Sequence, residues 1–161
     1  MREISTHVDI DAGPSLVWAI LTDFPAYRRW NPLMRTVLGV LTRGNAIRIT
    51  EQRQAGSSRG AKVTTVQRTL KHVREPRELY WLGGWAPAWL YATERRFRIE
   101  SLAEGRVRFH QDERFRGMLV PFVWPGLRRD VTPAFHAMNK ALKARAERAQ
   151  ADVAAGKARA P

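Results

Sequence analysis

Along residues 3–10 apolar and polar positions alternate, with Ile4, Val8 and Ile10 on one side, which predicts a half-buried strand. At Pro14 the period changes. Proline suits a first helical turn, and Val17, Trp18, Ile20 and Leu21 then form a broad apolar face that predicts a short helix ending at Asp23. The segment 24–32, bounded by Pro25 and Pro32, predicts one further helical turn closing before Asn31-Pro32. Six more strands follow at roughly 34–41, 46–54, 62–73, 77–83, 90–102 and 106–116, each bounded by Gly, Pro or polar turns. Connections this short exclude parallel crossovers, so the strands form an antiparallel meander, and a sheet of seven strands must curl.

The last hairpin is predicted to the residue. Phe97 and Ile99 must face the same side as Val107 and Phe109, and only an even register sum achieves that. A turn at Ala103-Glu104-Gly105 satisfies it, with Gly105 supplying the left-handed residue that closes such loops. The inward pairs become Ile99 with Phe109, Phe97 with Gln111, and Arg95 with Glu113. The outward pairs become Glu100 with Arg108, Arg96 with Asp112, and Glu94 with Arg114, all of opposite charge. His110 falls on the outward face. One consequence is polar: Arg95, Gln111 and Glu113 stand on a face that is otherwise apolar.

Beyond Gly117, residues 118–126 are apolar but interrupted by Pro121, Pro125 and Gly126, which predicts a packed connector or lid. From Leu127 the positions Val131, Phe135, Met138, Leu142 and Ala149 recur at helical spacing. They define a long C-terminal helix, starting at Thr132-Pro133 or passing through a kink at Pro133. Past about residue 150 the Ala-rich, basic run 151–161 has little to bury and is expected to fray, leaving one domain over 1–150.

Composition narrows the function classes. The chain has 161 residues, enough for one core. It has no cysteine, which excludes disulfides, thiolate metal sites and thiol nucleophiles. His7, His72, His110 and His136 lack close metal-ligand spacing, so no metal is expected. No phosphate loop or dinucleotide fingerprint appears, and Gly83-Gly84 lies in a hairpin loop instead of opening a helix, so no cofactor is expected. No apolar run approaches a membrane span and the first residues do not resemble a secretion signal; a cytoplasmic location is expected. The formal charge of +13, from 28 basic and 15 acidic residues, is scattered along the chain with no run longer than a pair. It is read chiefly as a solvated surface without specific nucleic-acid recognition.

Four motifs occur in order: Pro14-x-x-Val17-Trp18-x-x-Leu21-Thr22-Asp23-Phe24-x-x-Tyr27-x-x-Trp30-Asn31-Pro32, Glu78-Leu79-x-Trp81-x-Gly83, Glu113-x-Phe115-x-Gly117, and Phe135-x-x-Met138-Asn139-x-x-Leu142-Lys143. With the element order they resemble the START/Bet v 1-like (SRPBCC) superfamily, and within it the bacterial polyketide cyclase/dehydrase and lipid-transport group, over about residues 4–148. The resemblance implies an α+β helix-grip fold: a curved seven-stranded antiparallel sheet wrapped around the C-terminal helix, with two short helices between strands 1 and 2. It implies an apolar cavity between sheet and helix. Phe97, Ile99, Phe109 and Phe115 would form the sheet wall, Phe135, Met138 and Asn139 the helix wall, and Arg95, Gln111 and Glu113 a polar spot. Trp81, Trp85, Trp89 and Tyr91, crowded at the 83–88 loop, would form a half-wet entrance. The first functional expectation is a non-catalytic carrier of a small hydrophobic, aromatic or lipid-like ligand. The alternatives are a cofactor-free cyclase or dehydratase with Glu113 and Arg95 as candidate catalytic residues, and a basic module for RNA, ribosome or anionic membrane.

Overall fold

The computed structural model describes residues 1–53, 62–84 and 86–158. β1 (Arg2–Ile10) leads into α1 (Pro14–Thr22), a single 3-10 turn at Phe24–Ala26 and the one-turn α2 (Tyr27–Trp30). Six strands follow: β2 (Met34–Leu38), β3 (Ala46–Arg53), β4 (Lys62–Arg74), β5 (Glu78–Gly83), β6 (Ala92–Ala103) and β7 (Arg106–Arg116). The chain ends in α3 (Val120–Ala158). α1 begins at its proline and buries Val17, Trp18, Ile20 and Leu21 as the apolar face requires. Asn31 supplies the predicted turn chemistry: its buried Oδ1 accepts from the N–H groups of Leu33 and Met34, turning the chain into β2.

All seven strands form one antiparallel sheet in the order β1-β7-β6-β5-β4-β3-β2. β2 to β7 make the meander the short connections demand. β1 departs from sequence order by pairing with β7, Ile4 opposite Glu113 and Ile10 opposite Val107. This pairing carries Ile4, Thr6 and Ile10 onto the same buried face as the wall of β7.

The β6–β7 hairpin has the expected register, with Arg95 opposite Glu113, Phe97 opposite Gln111 and Ile99 opposite Phe109. Near the tip the register shifts between Ser101 and Ala103, so Ala103 pairs with Arg106 and the expected three-residue turn shortens to Glu104-Gly105, with Gly105 at φ +69°. The outward residues lie opposite one another as predicted, but two of the three expected ion pairs are replaced. Arg108 grips Asp9 of β1 through Nε and Nη2 at 2.7 and 3.0 Å, and Arg96 reaches Glu78 of β5 at 3.2 Å. Asp112 bonds Ser5 and Arg98 instead. Strand neighbours on both sides compete for each long side chain, so register alone does not choose the partner.

The connector expected at residues 118–126 is instead helical from Val120. Val120, Trp124, Leu127 and Val131 continue the inward stripe upstream, joining Phe135, Met138, Leu142 and Ala146 at steps of three and four. Burial of that stripe outweighs the cost of Pro125 and Pro133, which sit inside the helix and remove the donors normally aimed at the carbonyls of Pro121 and Arg129. At the other end α3 continues through Ala158, with residues 151–156 exposed. Gly117 sets the corner before α3. Its φ is +116°, and a Cβ there would lie 2.3 Å from the Leu90 carbonyl oxygen, so the tight approach of β7's end to the 84–91 loop needs glycine.

Candidate functional site

β6 and β7 place Arg95 and Glu113 directly opposite on the concave face, and Arg95 Nη2 donates to Glu113 Oε2 at 2.7 Å. The other arm of the guanidinium meets an acid that sequence reading missed. Arg95 Nη1 donates to Glu51 Oε1 at 2.9 Å, although Glu51 lies on β3, three strands away in the sheet order. Only a strongly curled sheet brings these atoms together. The signal was present in the alternation Ile47, Ile49, Glu51, which puts a carboxylate at an inward position of β3.

All three residues are buried, at 1% exposure for Arg95 and Glu113 and 2% for Glu51. From the helix side, Phe135 offers its ring to the guanidinium, 5.0 Å from Cζ to the ring centre. Burial works against the charged guanidinium, but the carboxylates of Glu113 and Glu51 outweigh it and hold the Arg95 pKa above its ordinary value. The cation is therefore permanent at the centre of the molecule. Arg68 is a second inward, buried arginine on β4, opposite Gly83; a Cβ at Gly83 would overlap its guanidinium, so that glycine makes room for it.

Around this polar centre aromatic side chains gather. Trp81 is opposite Arg95 and meets Phe97 edge-on at 5.1 Å, while Phe97 stacks on Phe109 at 5.8 Å. Ile99, Phe115, Tyr91, Phe135 and Met138 are buried in the same core. Asn139 is tied to β1 by a bond from its Nδ2 to Thr6 Oγ1 at 3.0 Å, and Thr6 in turn donates to the Gln111 carbonyl. Trp89 is not part of this interior; it is 65% exposed at the surface. Trp85 lies outside the described residues.

Phe97, Phe109, Gln111, Phe135 and Met138 are each fully buried, so no water-sized space lies against these side chains. Packing is nevertheless incomplete in one respect. Arg95 Nε, Gln111 Oε1, Trp81 Nε1 and Asn139 Oδ1 are buried without a hydrogen-bond partner. Trp30 Nε1, Asn31 Nδ2 and Arg96 Nε are likewise buried without a hydrogen-bond partner outside this set, whereas native interiors satisfy nearly all such atoms.

Among the described residues no cluster of three or more His, Asp or Glu side chains is arranged to hold a metal ion. No helix there is long and apolar enough to cross a membrane.

A sheet curled around one long helix, with a buried polar centre among aromatic side chains, is a helix-grip fold. The family model for polyketide cyclase / dehydrase and lipid transport matches residues 1–147, and the chain belongs to that family. No curated protein matches it in sequence. Among solved structures it is similar to a START superfamily protein from Mycobacterium smegmatis, with 20% identity, a TM-score of 0.69, and coverage of 91% of this chain and 97% of that one. The Zhui aromatase/cyclase from Streptomyces superposes with 17% identity, a TM-score of 0.65 and coverage of 91% and 94%. A protein from Arthrobacter aurescens gives 18% identity, a TM-score of 0.64 and coverage of 87% and 85%. At these identities the likeness is one of fold.

Proposed function

We propose that this protein binds a small hydrophobic, aromatic or lipid-like molecule between the sheet and α3, holding its polar end at Arg95, Gln111 and Asn139. The observation that carries this reading is the set of buried, unpartnered polar atoms around Arg95 within an apolar interior. A ligand hydroxyl or carbonyl would satisfy them; an ordinary core would have replaced them with apolar atoms of similar shape.

The test is retention of a ligand by the full chain. Incubation with a total lipid and aromatic extract, followed by native mass spectrometry, is expected to leave a stoichiometric adduct on the wild type. Gln111→Leu should lose that adduct while unfolding at the same temperature or higher, since it removes an unsatisfied acceptor without changing side-chain volume much. A wild type that retains nothing, or a Gln111→Leu variant that retains as much as the wild type, overturns the reading.

A second reading is favoured by Glu113, a buried carboxylate beside a fixed cation in a family that includes cyclases and dehydrases. There Arg95 would polarise a ligand carbonyl and Glu113 would move the proton of an enolisation. Glu113→Gln would then lower turnover of a polyketide-like substrate by about 100-fold or more in protein shown by circular dichroism to be folded. Unchanged turnover would remove Glu113 from any acid/base role.

A further inference from the structure

Exposed apolar residues occur at several places, among them Leu38, Val40 and Val63, but one group of them lies on two segments joined by backbone bonds. Met118 is 68% exposed, Phe122 82% and Trp89 65%, and Pro121 and Val123 beside them are exposed as well. Backbone bonds knit the two contributing segments together: the N–H of Met118 donates to the Trp89 carbonyl at 3.1 Å, and that of Leu119 to the Leu90 carbonyl at 3.2 Å. The helix beneath needs none of these side chains for packing. Val120, Trp124 and Leu127 make the inward contacts, and Phe122 lies on the opposite side of α3.

The same outward side turns basic along the helix. Arg129 follows Phe122 after seven residues and Lys140 after eighteen, spacings that return to one face, and both are exposed, as is Arg128. Arg116, at the end of β7 beside the tip, is 54% exposed and pairs with Glu94 at 2.8 Å, as Arg129 pairs with Asp130 at 2.9 Å, so each would exchange a surface carboxylate for a phosphate. An apolar knob carrying an aromatic on each of two segments, collared by arginines, in a chain of net charge +13, matches an interface whose interior is hydrocarbon and whose surface is negative.

We propose that this end of the molecule is a docking surface for anionic phospholipid bilayers, with Trp89, Met118 and Phe122 entering the headgroup layer and Arg116, Arg128 and Arg129 meeting the phosphates. A second copy of the chain seated patch to patch would set the same arginines against one another. A nucleic acid would find the cations but leave the apolar knob in water. A bilayer satisfies both halves, and the proposal stands whatever the interior binds.

The test is co-sedimentation of the full chain with vesicles of phosphatidylcholine alone and of phosphatidylcholine with about 30% phosphatidylglycerol, at low and physiological salt. The wild type is expected to pellet with the anionic vesicles only, less so as salt rises. Met118→Asp combined with Phe122→Asp should cut partitioning by at least about tenfold, because acids replace inserted apolar groups. Arg128→Glu combined with Arg129→Glu should cut it by about tenfold as well. Both variants should keep the wild-type circular dichroism spectrum and melting temperature, since the four side chains are outside the core. Failure of the wild type to pellet with anionic vesicles, or undiminished pelleting by the folded Met118/Phe122 variant, overturns the proposal. So does a concentration-dependent dimer, seen by sedimentation velocity, that the Met118/Phe122 variant abolishes while vesicles bind neither protein. Polyuridylate binding that survives the same variant, in a protein that ignores vesicles, overturns it equally.

Discussion

Glu51 and Glu113 each take one arm of a single guanidinium, so removing either leaves a buried cation with half of its compensation. Glu51→Ala is expected to cost about 3–5 kcal/mol in urea unfolding, the scale for breaking a buried ion pair from one side. Arg95→Lys should be nearly as damaging, because one ammonium cannot bridge two carboxylates from different strands while lying flat on Phe135. A cost under about 1 kcal/mol for Glu51→Ala would place this pair among surface-like ion pairs. The exposed charges behave differently. The bidentate Arg108 bond, joined by the charges of Arg108, Arg106 and His7, holds the Asp9 carboxyl below its ordinary value against a smaller effect of burial. Asp9 thus binds its proton less tightly when folded than when unfolded. Its bond contributes fully above the ordinary carboxylate range, near pH 4, and is lost as pH falls below it. Asp9→Asn should therefore flatten the fall in urea midpoint between about pH 5 and pH 3 relative to the wild type.

At the scale of elements, α3 is positioned by what precedes it. Gly117 lets β7 end against the Leu90 backbone, and the N–H groups of Met118 and Leu119 then bond the 84–91 loop. Gly117→Ala places a Cβ inside the Leu90 carbonyl and forces a left-handed conformation, for an expected loss of at least about 2 kcal/mol in thermal or urea unfolding. A neutral outcome would mean that this corner can rebuild. The upstream extension of α3 was hidden in sequence because its two prolines mark a local break, whereas the stripe Val120, Trp124, Leu127, Val131 buries enough apolar surface to override it. Local propensity and tertiary burial disagree there, and burial prevails.

For the whole molecule, β1 and α3 close the fold from opposite ends of the chain. Lys143 Nζ donates to the Asp9 carbonyl at 2.6 Å, the Asp11 N–H to Glu147 Oε1 at 3.0 Å, and the Gly13 N–H to Gln150 Oε1 at 3.4 Å. These ties end at Gln150. A chain stopping there keeps every one of them, and we expect it to melt within about 2 °C of the full protein, because residues 151–156 are exposed and bury little. A large drop would give the last helical turns a structural part.

Periodicity alone determined the seven strands, the inward stripe from Leu127 onward and the register of the last hairpin, because each depends on residues a few positions apart and on one short turn. That register already placed Arg95, Gln111 and Glu113 together. The tertiary structure decided what spans the chain: β1 beside β7, Glu51 reaching Arg95 across the curl, and Phe97, Phe109, Phe135 and Met138 buried in one core. It also decided that Trp89, Met118 and Phe122 are among the apolar residues left outside. None of these follows from local pattern, because a strand's alternation names the face it buries but not the strand or helix that covers it, and curvature sets which distant side chains meet.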